Sequence, residues 1–346
     1  MDNKVTSLRT ANNITLLRHF AAFFVLITHS YDLTGNFNNE FLRRLSGQAI
    51  SFSKLGLIIF FFLSGFLITQ SLVTSINLKQ FVWKRFLRIY PALFVVVVLS
   101  VFLLGPLFTT LSIKEYFLSS QTWSYLFGTT LVRLRFVLPG VFHGEGVNGS
   151  LWTLPVEFRL YLLLALLSLI GFIKRRSRYF TFVFIFIAFA IFVLTYNFQN
   201  QSVSYFIPYL SWGMYFLTGS FVFFIKDKLI PDYKILILLF IFWYALRDVT
   251  IANQVSELIC FSYFTLWISF KTPVVFSDFF KQNDFSYSMY LYTYPIQQMI
   301  IYKNPGIAPL LLLFLTLIAL IPCCWLSWNF VEKPSLKLKQ RLAFGL

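Results

Sequence analysis

The sequence predicts an all-α integral membrane protein of about ten transmembrane helices with both termini in the cytoplasm, and three observations predict it. Hydrophobic residues make up 58% of the 346 positions and charged ones only 12%, about half the charge of an ordinary soluble domain. Mean hydropathy is +0.73. The apolar residues gather in runs of near-spanning length, and Lys and Arg concentrate in alternate connections. Forty-five Phe residues are more than a water-facing surface could hide, so a globular soluble enzyme is excluded.

The apolar runs cover 14–31, 50–75, 86–110, 150–173, 179–196, 203–225, 235–247, 251–270, 285–303 and 307–331. A spanning helix uses about 20 residues, so ten of them match the apolar content. Two are the weakest: 235–247 is short, and Asn253 and Glu257 interrupt 251–270. The first run follows basic residues as a signal peptide would, but Arg18 and His19 break it and no small-residue cleavage site follows. It is expected to persist as a helix. Between 111 and 149 lies the longest polar-leaning connection, with a half-amphipathic stretch around 116–134 expected along the membrane surface. No repeat or low-complexity tract is present, so residues 1–346 read as one multispan domain with short cytoplasmic tails at 1–13 and 332–346.

Net charge is +16, from 29 Lys and Arg against 13 Asp and Glu. Taken alone it would admit nucleic acid or anionic lipid as partner. Placed on the ten runs, most basic residues fall in the connections that share a side with the N-terminus, including Lys79, Lys84, Arg85, Arg88, Arg175, Arg176 and Lys333. That is the positive-inside pattern. The charge is therefore chiefly a topology signal, membrane lipid is a partner, and nucleic acid is not expected. Cys260, Cys323 and Cys324 lie in apolar stretches without metal-ligand spacing, so they read as small packing residues and no metal is expected.

Ionisable groups inside spans cost several kcal/mol unless paired or hydrated, which makes Arg18, His29, Glu157 and Arg159 functional candidates. Arg18 and His29 are eleven residues apart. That is about 20° past three full helical turns and about 16 Å along the axis, so they share one face. His29 stands about 22 Å up a ~30 Å core, and Glu157, entering from the other side, about 10 Å down, which places them at similar depth. A carboxylate beside an imidazole fixes its tautomer and stabilises the imidazolium, as a general base requires. The plainer alternatives are a snorkelling arginine, an interfacial histidine and a glutamate paired for packing. Arg85 and Arg88, three apart on one helix face, suit phosphate, and Tyr90 and Trp83 could stack on a base; ordinary positive-inside charge is the alternative there. His143, in a glycine-rich outer loop, ranks below His29.

Taken together, these segments resemble the integral membrane acyltransferase-3 family of bacterial sugar O-acyltransferases. The Arg18-to-His29 spacing matches its first-helix motif, Phe60-Phe-Phe-Leu-Ser-Gly-Phe-Leu-Ile68 its second, and Arg85-Phe-Leu-Arg88-Ile-Tyr-Pro91 its first cytoplasmic loop. Asn148-Gly-Ser-Leu-Trp-Thr-Leu-Pro-Val-Glu157 resembles the block that carries its glutamate. Ser286-Tyr-Ser-Met-Tyr-Leu-Tyr-Thr-Tyr-Pro295 and Val331-Glu-Lys-Pro334 resemble its last two motifs. Two departures stand out: Leu57-Ile-Ile59 where many members carry an acidic residue, and Thr293 where many carry a histidine. Larger members append an extracytoplasmic hydrolase-like domain; the chain stops soon after Glu332, so none is expected.

The resemblance implies transfer of an acyl group, usually acetyl, from cytoplasmic acyl-CoA to a hydroxyl of a glycan such as O-antigen, capsule or exopolysaccharide, free or polyprenyl-linked, in the bacterial inner membrane. It implies His29 as base, Glu157 as its orienting or charge-balancing partner, Arg18 as guide for pantetheine or a phosphate, and Arg85, Arg88 and Tyr90 around CoA. Direct attack on the thioester is the preferred route, with a transient acyl-histidine as the other. From another class, a proton-coupled secondary transporter of a small anion would also use intramembrane Arg, His and Glu. It should show inverted halves, and Pro155, Pro208, Pro295 and Pro322 do not occupy matching positions.

Overall fold

A computed structural model describes residues 13–131, 135–196, 201–273, 279 and 282–338. The tails at 1–12 and 339–346, with their basic residues, and Arg133 and Lys281 lie outside the described residues. Each of the ten apolar runs carries a helix. These are α1 (Ile14–Asp32), α2 (Phe52–Thr74), α3 (Leu78–Leu99), α4 (Thr153–Leu169), α5 (Arg176–Tyr196), α6 (Gln201–Ile225), α7 (Tyr233–Leu246), α8 (Thr250–Lys271), α9 (Ser286–Lys303) and α10 (Pro309–Leu326). No strand occurs among the described residues.

Among the described residues, six helical stretches are long and apolar enough to cross a membrane: Ile14–Asp32, Phe52–Thr74, Leu78–Phe108, Gly149–Leu169, Arg176–Tyr196 and Pro309–Lys337. The protein is thus an all-helical, multi-pass membrane protein. At 14 residues, α7 measures about 21 Å, short of the hydrocarbon core. Hydropathy understates α9 for another reason. Its Ser286, Ser288, Thr293, Gln297 and Gln298 are buried, so its polar groups face protein rather than lipid.

Helix starts follow local chemistry. Asn77 caps α3 by accepting from the Gln80 N–H at 2.8 Å, while the Gln80 side chain accepts from the Ile76 N–H at 2.9 Å. Asp232 caps α7 through the Lys234 N–H, and Pro309 occupies the first turn of α10, where its missing N–H costs nothing.

The chain divides into two compact units. One contains Met1–Ala21, Lys54–Thr74 and Arg159–Gln282. Here α2 and α6 meet backbone to backbone. A Cβ on Gly65 would lie 1.8 Å from the Phe216 carbonyl oxygen, and one on Gly219 would lie 1.9 Å from that of Phe62. Only glycine allows this approach, which is how helices gain contact where lipid gives no hydrophobic drive. We expect Gly65→Ala to lower stability by about 3 kcal/mol, because the obstacle is backbone and cannot swing aside; thermal unfolding in detergent measures it. Close by, Thr69 and Tyr179 both hydrogen-bond Ser220. Lys54 at the start of α2 pairs with Glu257 of α8 at 2.7 Å, and Tyr215 of α6 donates to the same carboxylate at 3.0 Å.

The other unit contains Ala22–Ser53, Ser75–Phe158 and Asn283–Leu346. Its core includes Leu26, Ile296, Leu320 and Cys324. After α3 the helix widens into a π-turn at Ser100–Leu104, which disturbs the regular backbone bonding. The Tyr116 hydroxyl, fully buried, donates to the Val101 carbonyl at 2.9 Å. Within the stretch expected along the membrane surface, short helices Ile113–Leu118 and Ser120–Leu126 bury Tyr116 and Tyr125. A second π-turn, Ser327–Glu332, follows α10 and holds the start of the last motif, Val331-Glu-Lys-Pro334.

Candidate active site

His29 lies on α1 three residues before the end of the helix, half-buried. Its Nε2 is 3.4 Å from the Ser150 hydroxyl, and the Tyr294 ring stands edge-on to the imidazole with centroids 5.3 Å apart. Ser150 belongs to a 3-10 turn, Gly149–Trp152, that opens directly into α4. Helix α9 fastens that segment at successive points. Gln298 donates to the Gly146 carbonyl at 2.8 Å and Asn148 donates to the Leu291 carbonyl at 2.9 Å. The Tyr290 hydroxyl bonds the Ser150 carbonyl and lies 2.5 Å from the Thr153 hydroxyl. Gly149 is required here, because a Cβ would fall 2.8 Å from the Tyr294 ring. These bonds fix the 3-10 turn that brings the serine hydroxyl to the imidazole.

Glu157 stands on α4, beyond the turn that holds Ser150. The imidazole meets Ser150 and Tyr294, and the Glu157 charge reaches the phenols of Tyr287 and Tyr290. It lies seven residues, or about 10 Å of helix, beyond Ser150. Arg18 is half-buried on the stretch of α1 that belongs to the first unit. His143 has a left-handed backbone and stacks near Tyr302, with no tie to the His29 pair.

The arginines of α3 also part company. The Arg88 guanidinium reaches Asp284 at 2.8 Å and Glu332 at 3.9 Å and lies over the Tyr287 ring. Ser286 donates to Asp284 and Ser327 to Glu332. A phosphate at Arg88 would have to displace two carboxylates, so its place among the CoA contacts gives way to a structural ion cluster joining α3, the start of α9 and the end of α10. We expect Arg88→Ala to cost about 3 kcal/mol, since it removes the cation from the buried Glu332 and the half-buried Asp284, and Arg88→Lys to recover part of that; detergent unfolding midpoints decide. Arg85 is half-buried one turn earlier. Tyr90 continues a stacked row along α3: Trp83 on Phe86 at 5.4 Å and Phe86 on Tyr90 at 4.6 Å. A groove of about 440 Å³ opens beside that row, lined by Leu78, Lys79, Val82, Trp83 and Phe86.

Sequence reasoning passed over several of these partners. Ser150, Asn148 and Tyr294 carry no charge, so cost of charge does not mark them, although all three lie inside quoted motifs. Lys54 and Glu257 are 203 residues apart. Arg159 hydrogen-bonds Tyr205 and Tyr209 and sits over both rings. Among the described residues, no group of three or more His, Cys, Asp or Glu gathers as metal ligands would.

Fold and site together define a multi-pass helical membrane enzyme in which a histidine on the first helix faces a serine at the head of a later one. The acyltransferase-3 family model, an acyltransferase domain, matches residues 12–328. The chain belongs to that family. It is 29% identical over 335 residues to an O-acetyl transferase of Shigella phage Sf6, covering 93% of this chain and 95% of that protein. It is 35% identical to nodulation protein 10 of Rhizobium leguminosarum bv. viciae over 45% of this chain and 44% of the relative. A third relative, peptidoglycan O-acetyltransferase OatA of Listeria monocytogenes, is 35% identical over 32% of this chain and 18% of its own length. No solved structure matches the chain.

Proposed function

We propose that this protein is an O-acetyltransferase of the bacterial inner membrane, taking acetyl from cytoplasmic acyl-CoA and placing it on a hydroxyl of a cell-surface or lipid-linked glycan. The observation that carries the reading is the half-buried His29, held between Ser150 and Tyr294 in a chain that aligns nearly end to end with a phage O-acetyl transferase. An imidazole at that position is a base for a hydroxyl proton. Arg18 guides the pantetheine arm or a phosphate from its own helix. Arg85 contacts the CoA phosphates and Tyr90 supports the adenine side, while the paired Arg88 fixes the helix that presents them. Glu157 supplies negative charge that favours the imidazolium formed during transfer.

The same proposal takes ten spans with both termini in the cytoplasm, because the Lys- and Arg-rich connections then share one side, and treats residues 1–346 as one membrane domain. Arg85→Ala is expected to weaken acetyl-CoA binding about tenfold, the loss of one charge-assisted phosphate contact, with unchanged calorimetric affinity counting against it. The function itself is tested by mass spectrometry of glycan from gene-deleted and complemented cells. Complementation should restore a shift of about 42 Da, one acetyl on a hydroxyl after base-assisted transfer. Identical glycan in both would refute the glycan acceptor.

A further inference from the structure

We propose that Ser150 is a covalent relay: it takes the acyl group from CoA as an ester on its hydroxyl before the acceptor receives it. This rests on the acyl-CoA reading above. With the imidazole proton on Nδ1, the lone pair of His29 Nε2 points at the Ser150 hydroxyl 3.4 Å away. That is the nucleophile-and-base arrangement, which is often looser before substrate binds. The base therefore addresses a protein hydroxyl, whereas a residue serving only a sugar hydroxyl would keep Nε2 for it.

Three further features fit. Ser150 is only 2% exposed, so an ester formed there is shielded from water. The helical run Gly149–Leu169 begins at the pair, and the first N–H groups of a helix favour the negative charge of a tetrahedral intermediate. The Asn148 amide oxygen, fully buried, has no hydrogen-bond partner. An unmet buried acceptor is costly, and an amide N–H of pantetheine would satisfy it.

The step balances. Ser150 Oγ attacks the thioester carbonyl carbon while its proton passes to His29 Nε2. The carbon–sulfur bond breaks, and His29 returns the proton to the leaving thiolate, releasing CoA and leaving acyl-Ser150. The acceptor hydroxyl then attacks the ester carbonyl and gives its proton to Nε2. The carbon–Oγ bond breaks, and the proton returns to Oγ.

The test uses the full-length protein in nanodiscs with acetyl-CoA and isotopically labelled CoA, no acceptor present, alongside glycan acetylation in complemented cells. The native protein should exchange label between CoA and acetyl-CoA. Ser150→Ala should lower both exchange and glycan acetylation by about a thousandfold. Ser150→Cys, which keeps a nucleophile and guards against misfolding of the alanine variant, should carry an acetyl group that neutral hydroxylamine removes, as it does a thioester. Exchange or glycan acetylation within about threefold of native in a folded Ser150→Ala protein overturns the relay. So does native acetylation without exchange, which would leave Ser150 a positioning residue. In both cases the proposed function survives. A native protein that neither exchanges nor acetylates from acetyl-CoA removes the donor reading, and the relay with it.

Discussion

His29→Ala is expected to abolish glycan acetylation, by about a thousandfold or more, while the protein reaches the membrane at its usual level. The size follows from the role: a positioned base contributes about 10²–10⁴ in rate, and alanine leaves nothing on α1 to accept a proton. The small structural cost follows from the contacts. The imidazole makes one long hydrogen bond to Ser150 and one ring contact to Tyr294, and it is not among the buried core residues of its unit. Quantitative blotting of membranes beside glycan mass spectrometry separates the two effects. Normal acetylation by His29→Ala would remove the base assignment.

Arg18→Ala is expected to have an effect of similar size for a different reason. A charge inside a spanning helix is costly to keep, and an arginine offers a planar fork that lysine lacks. If Arg18 guides the phosphate or pantetheine of the donor, alanine should remove transfer and Arg18→Lys should retain a fraction, with the loss appearing largely in the KM for acetyl-CoA. Full activity in Arg18→Ala would make it a snorkelling arginine and no more.

The helices were legible because apolar runs of spanning length leave a chain little else to form, and every run did become a helix. Six of them also satisfy length and hydropathy in the structure. Helix α9 shows the limit of that reasoning: its glutamines and serines are buried, so its hydropathy reports protein neighbours and not lipid. The site was half legible. Charge inside an apolar run marked Arg18, His29 and Glu157, since such residues are expensive and rarely accidental. Ser150 is small and neutral, and only a fold that brings it 121 positions along the chain to His29 reveals it. Likewise, Arg85 and Arg88 look equivalent by spacing. Asp284, 196 positions beyond Arg88, breaks the equivalence, and pairings at that separation leave no periodic trace. The same cost of charge marked Glu157, whose charge also reaches the phenols of Tyr287 and Tyr290, neighbours that depth alone does not identify.

Sidedness of donor use tests the central claim most directly. Sealed vesicles bearing the protein and glycan would receive labelled acetyl-CoA on one face only, either the face of the Arg85 connection or the opposite one. The account predicts labelled glycan when acetyl-CoA is supplied on the Arg85 face and none above background from the other, with His29→Ala silent on both. Equal labelling from either face, or labelled acetyl-CoA consumed without any label in glycan, would contradict it.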